Sequence, residues 1–274
     1  MRSGPRLLRV VAALFVLLAL SIDRGTGALW SDSGTVPGGT IHTGRVDLRV
    51  DGQDAVSNYA PLDLSQLVPG QTAAAVLTVS NAGNVSLEWT ASTSGTNSGN
   101  GLLGALQLRV TGASSVTGST CGGSSLPGSS TSADGPLVST PRTLNPGASE
   151  QVCVQVGLPA GASSTLAATT TDLTLAIQGS TSGWSDTASV AGISLTAATL
   201  TPPTVTCSGV PGLNLSMGWT EVSGATSYRV VNSLGGLLTT IASGGTLSYS
   251  LGALTGAKVQ AVYAPGWISA GAGC

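Results

Sequence analysis

The sequence predicts an all-β protein of two domains behind a leader. Three observations carry this. Charged residues make up only 8% of the 274, against roughly 25% in an ordinary soluble domain. Gly, Ser, Thr, Ala and Val take their place, a composition suited to strands joined by tight turns. From residue 42 onward, apolar and polar residues alternate in short runs, the period of a half-buried strand. Finally, "TPPT" at 201–204 breaks the pattern, because paired prolines cannot sit in a central strand and favour an extended linker. The expected division is a signal peptide at 1–28, a first domain at 29–199, a Pro-rich linker at 200–204 and a second domain at 205–274.

The leader comes first. Arg2, Arg6 and Arg9 precede the apolar run "VVAALFVLLALSI" at 10–22. That run is shorter than the about 20 residues a membrane-spanning helix needs. Small residues follow, and cleavage between Ala28 and Leu29 is expected. The alternative is a retained N-terminal anchor. The tail "GWISAGAGC" reads as free of a hydrophobic anchor, so the mature chain is expected to be secreted, to the cell surface or matrix, with no membrane contact once the leader is gone. Losing residues 1–28 removes four arginines and one aspartate, leaving six basic against eleven acidic residues, a formal charge near −5. No basic patch remains to neutralise phosphates, so nucleic acid is not an expected partner.

Strands are expected at 45–52, ending in an Asp-Gly turn, at 62–71 with a Pro-Gly turn, and at 74–84, 85–92 and 106–112. Residues 113–148 are rich in Ser, Gly and Pro and read as loop with at most one weak strand. Further strands are expected at 150–159, 172–181 and from 184 onward. In the second domain, short strands at 204–208, 213–220, 227–233, 237–242, 247–251 and 257–263 suggest a small β-sandwich.

Four cysteines, Cys121, Cys153, Cys207 and Cys274, all lie beyond the leader. An even count in an exported chain reads as two disulfides. Three pairings are possible; sequence order and the domain division favour Cys121–Cys153 and Cys207–Cys274. Neither a C-x-x-C nor a Cys/His cluster points to a metal, and no cofactor is expected.

Residues 1–90 resemble the TasA/camelysin family of exported proteins with SipW-type signal peptides. The resemblance rests on "TGALWSD" at 26–32, "TIHTGRVDL" at 40–48 and "LSQLVPGQTAAAVLTVSNAGNVSLEW" at 64–89. It implies a jelly-roll-like β-sandwich, a role as a surface or biofilm-matrix component, and assembly into fibres by strand donation from the freed N-terminus. The second domain resembles a fibronectin type III module through "LNLSMGWTEVSGATSYRVVNS" at 213–233 and "LSYSLGALTGAKVQAVYA" at 247–264, with the usual strand F Tyr replaced near Ala257–Lys258.

One phrase occurs twice: "WSDSGTV" at 30–36 and "WSDTASV" at 184–190, in a chain with five tryptophans. Trp30, Ser31 and Asp32 follow the expected cleavage site. Trp184, Ser185 and Asp186 open the last strand of the first domain. The two triplets read as equivalent strand starts, each Trp supplying apolar bulk and each Ser-Asp setting a turn. Chance in a Ser/Thr-rich chain is the alternative.

Catalytic chemistry is thin. His42 is the only histidine, so neither H-E-x-x-H zinc chemistry nor a G-x-S-x-G nucleophile is present, and camelysin-type peptidase activity is unsupported. Asp47, Asp51, Asp54 and Asp63 read as solvated carboxylates, with paired-carboxylate hydrolysis or a calcium site at Asp51 and Asp54 as alternatives. The expectation is a non-catalytic structural protein of the surface or matrix, self-assembling into fibres or contacting cell-wall or surface proteins. A carbohydrate- or protein-binding adhesion module is the alternative, with Trp267 as the aromatic to test.

Overall fold

The computed structural model describes residues 35–36, 39–40, 43–96, 101–112, 115–211 and 213–274. The expected leader, the Ala28/Leu29 cleavage site, Trp30, Ser31, Asp32 and His42 lie outside them. Residues 1–45 and 46–274 form separate units. In the first, β1 (Thr35–Val36) pairs antiparallel with β2 (Gly39–Thr40). Among the described residues, no helix is long and apolar enough to cross a membrane.

The larger unit begins with β3 (Leu48–Val50), β4 (Ala55–Val56), β5 (Leu64–Leu67), β6 (Thr72–Asn81) and β7 (Leu87–Gly95). Next come β8 (Gln107–Thr111), β9 (Val116–Thr117), β10 (Thr120–Cys121), β11 (Gly135–Leu144), β12 (Ser149–Gly157), β13 (Thr170–Thr181) and β14 (Trp184–Ala197). One sheet runs β11-β7-β13-β14-β4, with β5 also on β14; the other runs β3-β6-β12-β8. They face each other across alternating apolar residues. Ala73, Ala75, Leu77 and Val79 of β6, Leu87, Trp89 and Ala91 of β7, and Leu173, Leu175 and Ile177 of β13 are all buried. Fully burying one such Leu or Ile side chain contributes about 1.5–3 kcal/mol.

The first hairpin shows how local chemistry sets register. Asp51 (φ 48°) and Gly52 (φ 78°) both take positive φ, the requirement of a two-residue hairpin turn. Val50 and Gln53 close it with reciprocal bonds of 2.9 and 3.0 Å.

One segment departs from the sequence expectation. Residues 113–148 hold β9, β10 and the ten-residue β11 rather than loop with one weak strand. Pro136 and Pro141 hide β11 from a reading by alternation. They are tolerated because β11 is the edge of its sheet, and its pairing with β7 shifts register twice.

The second set of strands is β15 (Val205–Ser208), β16 (Leu215–Trp219), β17 (Ser227–Val231), β18 (Leu237–Ala242), β19 (Ser248–Gly252), β20 (Lys258–Ala264), β21 (Trp267–Ile268) and β22 (Ala272–Gly273). A three-stranded sheet, β15-β16-β19, faces a sheet ordered β18-β17-β20-β21, with β22 also on β20. The protein is therefore all-β, two sandwiches in succession. Trp219 and Tyr228 meet in the second core with ring centroids 5.9 Å apart. Tyr263 lies on β20 and is buried, so this strand does carry a core tyrosine, five residues beyond Lys258.

Two disulfides staple the sandwiches. Cys121 joins Cys153 and Cys207 joins Cys274, with Cα–Cα distances of 5.7 and 6.1 Å. Cys153 sits on the β12 face opposite Val152, Val154 and Val156, yet it is fully buried. The segment carrying Cys121 covers that face. Arg109 of β8 supports this cover by donating to the carbonyl oxygens of Cys121 (2.8 Å) and Gly123 (2.5 Å). Disulfides of this kind fit an extracellular or periplasmic protein.

Candidate functional site

Among the described residues, β13 and β14 are the longest strands, 12 and 14 residues. Their hairpin turns at Ser182 (φ 41°) and Gly183 (φ 87°), a two-residue connection with positive φ at both positions. Thr181 pairs with Trp184 and Ser180 with Ser185 across it. The turn and its neighbours enclose an open groove of about 610 Å³, lined by Ser86, Leu87, Glu88, Thr143, Ser180–Ser182, Gly183, Trp184 and Ser185.

Register assembles the polar wall. Thr143 pairs with Glu88, Glu88 with Ser180, and Ser180 with Ser185. Directly paired residues point to the same side of a sheet, so four strands contribute one row, and all four residues are exposed. The other component is apolar: Trp184, consecutive with Ser185 and so on the opposite side of β14, also lines the groove and is 64% exposed. The mouth therefore combines an aromatic surface, hydroxyls and one carboxylate.

Buried polar groups hold this end of the sandwich. Asn81, only 1% exposed, donates from Nδ2 to the carbonyl oxygens of Val85 (2.8 Å) and Leu144 (3.0 Å), and accepts at Oδ1 from Gly83 N. Those carbonyls adjoin Ser86 and Thr143. Ser86 Oγ also donates to Asn145 Oδ1 at 2.7 Å. On the other flank, Asp186 accepts from Leu48 N at 2.7 Å, tying β14 to β3 of the facing sheet.

The triplet Trp184-Ser185-Asp186 does open the last strand of the first sandwich. Its roles differ from the expectation. Trp184 is a surface aromatic rather than apolar bulk, because the hairpin carries it past the end of the core. Asp186 is a backbone acceptor across the sandwich. Trp267, the aromatic singled out for binding, is fully buried and donates from Nε1 to Ala162 O at 2.9 Å. It cannot contact a ligand without unfolding.

The other carboxylates serve the backbone. Asp51 accepts from Thr78 N and Asp63 from Ser194 N, while Asp47 pairs with Arg49 at 2.9 Å. Arg49 is pushed up from its ordinary value by the hydrogen bond to Asp47 and its charge. Among the described residues, no group of three His, Cys, Asp or Glu could hold a metal. The groove holds Glu88 without a second carboxylate, so the acid–base pair of glycoside hydrolysis is not assembled there. Glu88, Thr143 and Ser180 were not singled out by sequence reasoning; only the register of three strands, β11, β7 and β13, brings them together.

No protein-family model matches the chain, and no curated protein does. Similar solved structures include a PapD-like domain of human CEP192 (14% identity, 62% of this chain and 96% of that one, TM-score 0.27). Others are the E. coli chaperone DraB (13%, 82% and 94%, TM-score 0.26) and a two-domain fibronectin type III segment of chicken tenascin (13%, 75% and 94%, TM-score 0.23). At these scores the likeness carries no information about ligand or partner.

Proposed function

We propose that the protein is an exported, non-catalytic surface or matrix module that binds a carbohydrate in the groove beside Trp184. The carrying observation is that one open groove is lined both by the exposed Trp184 and by Thr143, Glu88, Ser180 and Ser185. A sugar ring has a C–H face and a rim of hydroxyls. The indole matches the face, and hydroxyls with one carboxylate match the rim. The test is a glycan array followed by calorimetry on the chain from Leu29. Binding of a glycan that falls at least about tenfold in Trp184→Ala, a loss of about 1.4 kcal/mol, supports the reading. Absence of glycan binding, or equal binding by Trp184→Ala, overturns it.

A second reading follows from the TasA/camelysin resemblance at residues 26–48 and 64–89. It makes the protein a matrix component whose freed N-terminal segment adds as a strand to a neighbour's sheet edge. Light scattering on the chain from Leu29, beside one lacking residues 29–40, tests it. Fibres from the first and monomers from the second support assembly; monomers from both reject it.

A further inference from the structure

We propose that the end of the second sandwich remote from the first is a membrane-docking tip, which inserts aliphatic side chains into a lipid bilayer containing anionic headgroups. Three connections meet there: the described residues 209–211 and 213–214 between β15 and β16, 232–236 between β17 and β18, and 253–257 between β19 and β20. Register brings them together, since Leu215 pairs with Gly252, and Val231 pairs with both Lys258 and Leu237. A β-carbon added to Gly256 would lie 3.2 Å from Ser233 Cβ. These connections and the start of β18 expose Leu234 (94%), Leu213 (71%), Val210, Leu237 and Leu254. Of the large apolar residues most exposed among those described, only Val116 and Trp184 lie elsewhere. The opposite end of the strands is occupied, because Tyr263 and Trp267 bond Thr201 and Ala162 of the first-sandwich side.

Two further observations select lipid as the occupant. The first is backbone satisfaction, which hydrocarbon demands. Asn232 Oδ1 accepts from Leu234 N (2.9 Å) and Gly236 N (2.8 Å), and Asn232 N donates to Gly236 O. Asn214 Oδ1 accepts from Val210 N (2.8 Å), while Leu213 N and Asn214 N donate to Val210 O. Leu254 N donates to Leu251 O. The turns thus bond internally the N–H groups of the residues they present. The second is charge. None of the three connections carries a charged residue, and residues 205–274 hold only Glu221, Arg229 and Lys258. Lys258, the sole lysine of the chain, begins β20 at this tip, whereas Glu221 lies in the connection between β16 and β17 at the other end. An apolar tip with one lysine, Lys258, at its edge complements an anionic interface. Protein-binding centres favour Trp, Tyr and Arg instead, and this tip has no aromatic among its exposed residues. The inference departs from the expectation that the mature chain touches no membrane, and it is independent of the Trp184 groove.

The test uses the chain from Leu29 with both disulfides intact, co-sedimented with phosphatidylcholine vesicles with and without phosphatidylglycerol. The wild type is expected to pellet with the anionic vesicles, and Leu213→Ser/Leu234→Ser to bind at least about tenfold more weakly at an unchanged melting temperature. Lys258→Gln is expected to remove the preference for phosphatidylglycerol. Leu234→Trp reports directly: its emission shifts to the blue when vesicles are added. A wild type that pellets with neither vesicle, a Leu234→Trp emission that does not move, or undiminished binding by the double serine variant overturns the proposal. So does a concentration-dependent dimer that the double variant abolishes without any vesicle binding, which would make the tip an interface between copies.

Discussion

The hydroxyl of Tyr263 bonds Thr201 twice, accepting from its backbone N–H at 3.0 Å and donating to its carbonyl oxygen at 3.1 Å. A side chain at the end of β20 therefore holds the proline-rich segment that the sequence marks as an extended linker. Trp267 adds a second tie through Ala162. Residues 201–204 are thus pinned on one side by the second sandwich rather than swinging free. Tyr263→Phe keeps the ring and removes both bonds. It is expected to cost about 1–2 kcal/mol and to speed proteolytic cleavage near Thr201. Unchanged cleavage and stability would show that the segment is held by packing alone.

The two disulfides should not reduce together. Cys153 and Cys121 are buried, while Cys207 and Cys274 are exposed. A reducing thiolate needs access to sulfur. Under mild reductant, alkylation followed by mass spectrometry should mark Cys207 and Cys274 first, with Cys121 and Cys153 modified only as the fold opens. The bridges span 32 and 67 residues, and each is expected to contribute about 2–4 kcal/mol by restricting the unfolded chain. Early labelling at Cys121 would contradict the burial.

Strand positions were legible wherever one face alone is buried. Along 72–81 every second residue is covered, and the Asp51-Gly52 turn is written in its own residues. β11 was not legible. Leu137 and Val138 are adjacent and both buried, because the pairing with β7 shifts between Pro136 and Val138, skipping Leu137 and breaking the alternation. Of the candidate site, the sequence offered Trp184 and Ser185 as a strand start and nothing of what the neighbouring strands bring beside them. Glu88 and Ser180 are 92 residues apart by numbering, and only pairing between β7 and β13 makes them neighbours. Trp267 misled because closeness to a chain end says nothing of burial when the last strands fold back onto β20.

Asn81 concentrates the support of the groove in one buried amide. Asn81→Ala strips the Nδ2 partners from Val85 O and Leu144 O, and leaving such groups unpaired costs about 1–3 kcal/mol. Chemical denaturation should register a drop of that size. Because those carbonyls adjoin Ser86 and Thr143, ligand affinity at the groove should fall as well. A variant of wild-type stability would mean that the network is dispensable.

Tyr59 offers a pH signature. Burial first, and then the negative charge of Asp51, push its phenol above the ordinary value of 10.0. The folded state holds this proton more tightly than the unfolded chain does. The stability tied to it is therefore complete below the unfolded value and declines as pH rises above about 10. Ultraviolet titration should show a late-ionising tyrosine that disappears in Tyr59→Phe. The same late step persisting in that variant would refute the assignment.

Gly192 is where β14 changes face. Leu173 pairs with Ile193 but Leu175 pairs with Val190, so β14 carries one residue more than its partner. Ala188 and Val190 are buried before this bulge, and Ile193, Leu195 and Ala197 after it. The parity of the strand has been inverted without losing the core. Gly192 absorbs the change at φ 73°, a backbone state that residues with a β-carbon adopt at a cost. Space forbids one too: a β-carbon there would lie 2.9 Å from Asn58 N and 3.0 Å from Asn58 Cα. That contact is with backbone, which cannot rotate away. Gly192→Ala is thus expected to destabilise by about 1–3 kcal/mol, displacing the 58–60 turn that bonds Ala191 through Tyr59 N. Thermal melts of the variant give the magnitude. Amide exchange should rise at Tyr59 and spare the second sandwich, and a uniform rise across both sandwiches would mean that the bulge is not a local device.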